Sequence, residues 1–411
     1  MRFFLGSMVA GVMLAILPSS FAKESSTWVG SWACSPQLVE PQNRPPEPGL
    51  AGNTLRQVVH LTLGGREIRL RFSNEFGATP LVLDSVHIAL PAAGPGSIRP
   101  DSDRAVIFNG KASVTIPPGA LVFSDPIAFP VATLSDLVVT FKASKVPDGI
   151  TGHPGSRETS YLSVGDEVSA ATLTNPVTTD HWYVLNGLDV QAKGDVGAAV
   201  TLGDSITDGR GSTTNENTRW PDDLARALAA DKKYAGIAVL NEGIGGNRIL
   251  HDGLGPSALA RFDRDVIAQS GVRWVLVFEA VNDIGGAKAG AARGQTSTVA
   301  DDVIDAYHQF ILRAHTHGLR IYGATITPFG KSQYSSDATE AARQKVNAWI
   351  RTSGQFDAVI DFDKATRDPS DPSQLAADVD SGDHLHLNSE GYERMAAAID
   401  LKLFFKASRT D

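Results

Sequence analysis

Cysteine is almost absent: Cys34 stands alone among 411 residues, so no disulfide can form within the chain. A chain of this length has room for about two or three domains, with cores large enough to hold without one. Cys34 lies in the apolar stretch from Trp28 to Cys34 and reads as a buried small residue, not a nucleophile. Positive charge is also scarce. The formal net charge of −9 argues against a nucleic-acid binder, which needs a basic face to neutralise phosphates. Long apolar runs are confined to Leu5–Leu17, preceded by Arg2 and followed by Pro18-Ser19-Ser20-Phe21-Ala22. That run is too short to span a bilayer comfortably. Its charged, apolar, small-residue order predicts an export leader over residues 1–22, cleaved after Ala22. The expectation is a secreted or periplasmic protein with no stable membrane anchor. The HExxH, GxxxxGK and GxSxG motifs are missing as well, and the last absence argues against an ordinary α/β-hydrolase topology.

What is present divides into two kinds of text. From residue 24 to 194, short alternating strands sit between turn clusters such as Gly64-Gly65, Pro117-Pro118-Gly119 and Pro147-Asp148-Gly149. Ile68, Leu70 and Phe72 alternate with Glu67, Arg69 and Arg71, which predicts a half-buried strand with one wet face. The pattern predicts one antiparallel sandwich or jelly roll. Beyond residue 195, apolar strands alternate with amphipathic helices, and this predicts a parallel sheet covered on both faces. In one helix Val299, Val303, Tyr307, Phe310, Ile311 and Ala314 share a face; in another Tyr392, Met395, Ala396, Ile399 and Leu403 do. Residues 190–197 read as the linker.

Four clusters in the second half carry groups able to do chemistry. The run from Ala198 to Leu202 stops at Gly203-Asp204-Ser205, as expected of a buried strand delivering a serine to the sheet's carboxyl end. Asn241 to Asn247 follow a second strand, Asn282-Asp283 a third, and Asp383-His384-Leu385-His386 precede the last helix. A serine becomes a nucleophile when a base takes its proton and a carboxylate orients the base. An Asp-x-x-His step places Asp383 beside the ring of His386. A glycine-rich loop and an asparagine amide supply donors for a developing oxyanion, each contributing about 3 kcal/mol of transition-state stabilisation.

On these blocks the second half, from 195 to 405, resembles the SGNH (GDSL-type) hydrolases, with a flavodoxin-like parallel sheet implied. The resemblance assigns Ser205 as nucleophile, His386 as base and Asp383 as its orienting acid. The oxyanion donors become the Ser205 and Gly246 N–H groups and the Asn282 amide. It implies hydrolysis of a carboxylic ester through an acyl-enzyme, with no metal or organic cofactor required. Three positions depart from the family pattern: Ile206 for leucine, Leu387 for the frequent proline, and Ala280 for glycine in the third block. The β half, with Trp28, Trp32, Leu55-Arg56-Gln57, Arg71-Phe72-Ser73-Asn74 and Ser124-Asp125-Pro126, resembles the N-terminal part of two-domain bacterial GDSL esterases. That implies a β-sandwich before the hydrolase domain and a small-molecule or polysaccharide ester as substrate, acetylated carbohydrate above all.

Other readings stay open. Ser205 also suits a helix start, and Asp383 with His386 suits a loop pair capping the last helix. His384 competes with His386, although strand-like alternation would point it the other way. His308, His315 and His317 have no adjacent carboxylate or cysteine at ligand spacing and read as solvated helix-end residues, so no metal site is expected. Asp204 and Asp283 read as structural hydrogen-bonding residues, and Trp182 and Tyr183 as core. A lipase or lysophospholipase for long acyl chains is the alternative enzyme. A carbohydrate-binding protein that has lost activity, with Ala280 as the suspect substitution, is the non-enzymatic one.

Overall fold

The computed structural model describes residues 26–287 and 295–405. The leader expected over residues 1–22 lies outside the described residues. Among the described residues no helix is long and apolar enough to cross a membrane.

The first half builds antiparallel sheets of five and seven strands and a small three-stranded sheet. Their strands carry alternating apolar residues, so two inner faces meet in one core. Several motif residues of this half are scaffold: Arg56, fully buried, donates to Thr140 Oγ1 (2.9 Å), the Gly96 carbonyl (2.7 Å) and the Ala170 carbonyl (2.7 Å). Trp182 and Tyr183 are buried, at 2% and 0% exposure, as expected of core.

The second half is a five-stranded parallel sheet in the spatial order Ile237–Gly243, Gly197–Gly203, Val272–Phe278, Arg320–Ala324, Ala358–Ile360. This is the flavodoxin-like order 2-1-3-4-5. Strand periodicity explains why both faces are apolar. Val200, Leu202, Val275 and Val277 join one core with Phe262, Phe310 and Val346. Ala199, Trp274, Leu276 and Phe278 join the other with Leu224, Phe362, Tyr392 and Met395.

Three features differ from the sequence reading. The linker is short: Leu185–Lys193 is a strand, Val190 is fully buried, and only residues 194–196 separate it from Gly197–Gly203. The strand Gly65–Ser73 has no uniformly wet face. Its Arg71 is 3% exposed and donates to Gln269 Oε1 at 2.6 Å, because the second half covers it. The last long helix ends at Ala397, and Asp400 caps a separate short turn, Leu401–Phe404, that carries Leu403.

The halves share one core. Val29, Trp32 and Leu188 belong to the same apolar cluster as Val200 and Leu240. Strand Ile237–Gly243 lies at the edge of the parallel sheet, where unpaired backbone groups would invite another chain. Thr62 covers this edge: its Oγ1 accepts from Val239 N–H (3.1 Å), and its one hydroxyl hydrogen is shared between the carbonyls of Ser31 (2.7 Å) and Val239 (3.0 Å).

Candidate active site

The first three clusters follow the carboxyl ends of three neighbouring strands, with Gly197–Gly203 in the middle. The chain leaves this middle strand for one neighbour and later returns to its other side. That reversal opens the crevice where doubly wound sheets take ligands. Ser205 starts the short helix Ser205–Asp208, and Asp204 caps it by accepting from Ile206 N–H at 2.9 Å. Ile206 is fully buried, so the leucine-to-isoleucine departure is an apolar exchange within the core.

The loop before helix Ser389–Ala397 brings the fourth cluster over this crevice. Ser381 N–H donates to the His386 carbonyl (3.0 Å) and Asn388 N–H to the Val379 carbonyl (3.0 Å), closing the loop on itself. Leu387 fills the core at 0% exposure, so this departure from proline anchors the loop by burial. Ser205 Oγ lies 2.8 Å from His386 Nε2, and His386 Nδ1 lies 2.7 Å from Asp383 Oδ2. Asp383 Oδ1 accepts from the N–H groups of Leu385 (3.1 Å) and His386 (2.8 Å). Partial burial opposes ionisation of Asp383. The bonds from His386 outweigh it and hold the carboxyl at about 2. Burial pushes His386 below the ordinary histidine value; Asp383 resists this, while Arg210 and Arg157 add to it. The imidazole is thus a neutral acceptor at physiological pH. His384 turns away at φ +61°, its Nδ1 2.6 Å from Asp380 Oδ2.

Gly246 and Asn282 line the same cleft of about 420 Å³ as Ser205 and His386. Gly246 holds φ +73°, which a residue with a side chain adopts at a cost. Asn282 Nδ2 donates one hydrogen to the Asn247 carbonyl at 2.9 Å, and Tyr334 Oη donates to Asn282 Oδ1 at 2.9 Å. The second amide hydrogen remains for a ligand. Ala280, the third departure, sits at φ +104°, the half of backbone space that glycine occupies freely. It keeps a glycine's conformation with an alanine's side chain, and its carbonyl accepts from Ile284 N–H (3.0 Å) to start the helix Val281–Ala287. Asp283 accepts from Ile249 N–H (2.9 Å) and Leu250 N–H (3.0 Å), fastening the chain just past the second block to the third.

Several residues around the site carried no signal in the sequence. Tyr334 comes from the segment after the fourth strand, a place the carboxyl-end rule indicates but no motif marks. The β half supplies a whole wall. From strand Thr151–His153, His153 Nε2 stands 2.9 Å from Asp208 Oδ1. Gly155 packs so tightly that an added Cβ would lie 1.8 Å from Asp208 Oδ2. Arg157 lines the cleft with Arg210. Away from it, His315 Nε2 meets Asp357 Oδ2 at 3.0 Å, a carboxylate partner supplied by a distant segment. Among the described residues no cluster of three or more His, Cys, Asp or Glu side chains is arranged to hold a metal ion.

Residues 201–394 match the GDSL-like Lipase/Acylhydrolase family. No curated protein matches. Among solved structures, a GDSL-like lipase from Bacteroides thetaiotaomicron is 17% identical, covering 49% of this chain and 84% of its own, with a TM-score of 0.35. A variant of an acetyl xylan esterase from Geobacillus stearothermophilus is 20% identical, covering 49% and 94%, with a TM-score of 0.37. Residues 201–394, which hold the four blocks in order, are thus a GDSL-like lipase/acylhydrolase domain.

Proposed function

We propose that this protein is a serine esterase that removes short acyl groups, acetyl above all, from carbohydrate. The observation that carries the reading is the unbroken path from Ser205 Oγ through His386 to Asp383, with links of 2.8 and 2.7 Å. In the proposed reaction Ser205 Oγ attacks the ester carbonyl carbon as its proton passes to His386 Nε2. The carbonyl oxygen becomes an oxyanion that rests on Ser205 N–H, Gly246 N–H and the Asn282 amide. Collapse breaks the bond to the alcohol oxygen, which takes the proton from His386. A water then gives a proton to His386 and attacks the acyl-serine. Collapse of this second adduct breaks the bond to Ser205 Oγ, which takes that proton back from His386 as the acid leaves. Asp383 stays ionised throughout and stabilises the transient imidazolium.

The cleft's chemistry favours a sugar ester over a long-chain lipid. Amide side chains of Gln37, Gln42, Asn43 and Gln333 line it, and apolar lining is limited to residues such as Leu254 and Leu385. A long acyl chain needs a continuous apolar channel, because each buried methylene contributes about 0.8 kcal/mol only when it leaves water. The leader-like opening of the sequence supports an exported enzyme that meets polysaccharide. Ser205→Ala is expected to abolish turnover of 4-nitrophenyl acetate with an unchanged melting temperature. Activity retained in that variant would reject the nucleophile. In a series of 4-nitrophenyl esters the rate is expected to be highest at the short end. A maximum at about eight carbons or more would replace the acetyl reading with a lipase.

A further inference from the structure

We infer that the alcohol portion of the ester carries an anion, a carboxylate or a sulfate on the sugar, and that Arg157 and Arg210 hold it. This deepens the carbohydrate-ester reading and rests on it. The molecule is acidic overall, at −9, so a pair of guanidiniums in its cleft is no sample of a generally basic surface. Arg210 is exposed and, among the described residues, has no hydrogen-bond or ion-pair acceptor. Arg157 has one distant acceptor: its Nη2 stands 4.0 Å from Asp208 Oδ2, and its Nε is buried with no partner. Asp208 meets His153 through Oδ1, and its Oδ2 has no hydrogen-bond partner, so Arg157 stands near this carboxylate without bonding it. The other carboxylate on the wall, Glu40, accepts from the side-chain amides of Gln37 (2.6 Å) and Asn43 (3.0 Å).

Neither arginine is on a loose tether. Arg210 N–H donates to the Ser205 carbonyl at 2.9 Å, one turn from the nucleophile. Arg157 is held at φ +53°, and its carbonyl accepts from Asn215 N–H at 2.9 Å. Two residues on, the chain is tied down as well, since Thr159 N–H donates to Asn215 Oδ1 at 2.7 Å. A loop of the β half is thus clamped onto a loop of the α/β half. These bonds fix the backbone from which each arginine extends, so each side chain reaches the cleft from a set position. The location decides which part of the ester is charged. His386 returns its proton to the leaving oxygen, so the alcohol departs on the histidine's side. Both arginines line the cleft beside His386, and an acetyl group has no position for a further anion, so the charge falls on the alcohol.

The test is an NMR titration of the whole protein with methyl glucuronoside, methyl glucoside 6-sulfate and neutral methyl glucoside, run beside a 4-nitrophenyl acetate assay. At about 20 mM salt at least one anionic glycoside is expected to bind about tenfold more tightly than the neutral one, with the gap shrinking at about 0.5 M. Whichever anion binds identifies the group. Arg157→Gln combined with Arg210→Gln is expected to bring the ratio close to one. Equal binding of all three glycosides by the wild type overturns the inference. So does a preference that survives both substitutions or ignores salt. If the double variant does not fold, the wild-type salt series decides alone. Absence of preference with ester turnover intact rejects only the anion site; preference without turnover of any ester rejects only the esterase reading.

Discussion

Ala280 is the residue where local chemistry and local geometry disagree. At φ +104° its backbone stays where the family's glycine would put it, and the surroundings hold it there. Such a position costs a side-chain-bearing residue about 1–3 kcal/mol, while glycine gives back about 0.5–1 kcal/mol in unfolded-chain entropy. Ala280→Gly is therefore expected to stabilise the protein by about 1 kcal/mol in urea unfolding and to keep its hydrolytic rate. A loss of stability would mean that packing around the methyl outweighs the strain. The four blocks were legible in the sequence because each is a run of neighbours. What Ala280 does to Asn282 was not legible, since Tyr334 and the Asn247 carbonyl hold that amide from far along the chain. His386 supplies the second prediction at this scale. In the proposed reaction it must be neutral to accept the serine's proton, and burial sets its pKa below the usual value of about 6.5. The acid limb of kcat/KM is expected below that pH. A limb clearly above it would show that a different group controls the rate.

Among the elements, the short helix Ala258–Phe262 does more for the site than its length suggests. Its Arg261, with a fully buried side chain, donates to the Gly203 carbonyl (2.9 Å), the Glu242 carbonyl (2.7 Å), Ser35 Oγ (2.8 Å) and Asn247 Oδ1 (3.0 Å), and pairs with Asp265 (3.1 Å). One guanidinium thus ties the strand before Ser205, the second block and the β half together. Removing a buried charge from such a network leaves its partners unsatisfied, at about 3–5 kcal/mol. Arg261→Met is expected to lower unfolding stability by about 3 kcal/mol. A loss under about 1 kcal/mol would show the network to be dispensable. Helix periodicity and strand alternation announced the elements themselves. The register that covers Arg71 was hidden, because burial of a strand's outer face depends on what packs against it.

Across the whole molecule, buried carboxyls set the response to pH. Burial comes first in raising each of three: Asp204 and Glu158 are pushed up to about 7, Glu242 up to about 8. A carboxyl whose folded pKa lies above its unfolded value of about 4 stabilises the fold fully below that value and loses the contribution as pH rises through the folded pKa. Stability is therefore expected to fall between about pH 5 and pH 8. Two groups act in the opposite sense. Asp383, at about 2, loses its contribution as pH falls from about 4 towards 2, and His386, held low, loses its own below about 6.5. A melting series is expected to peak in mild acid and to drop by several degrees at pH 8. A melting temperature rising steadily to pH 8 would contradict the balance.

By itself the sequence determined the division into an antiparallel half and a parallel half, and it ordered the four blocks that mark the family. Those are local matters: periods of 2 and 3.6 residues, turns, and motifs within a few positions of one another. The tertiary structure alone decided that the halves share one core and that the β half walls the cleft with Gln37, Arg157 and their neighbours. It also decided that His315 meets Asp357. These contacts join residues far apart along the chain. Their geometry follows from how two apolar surfaces settle against each other, and no short window of residues contains that information.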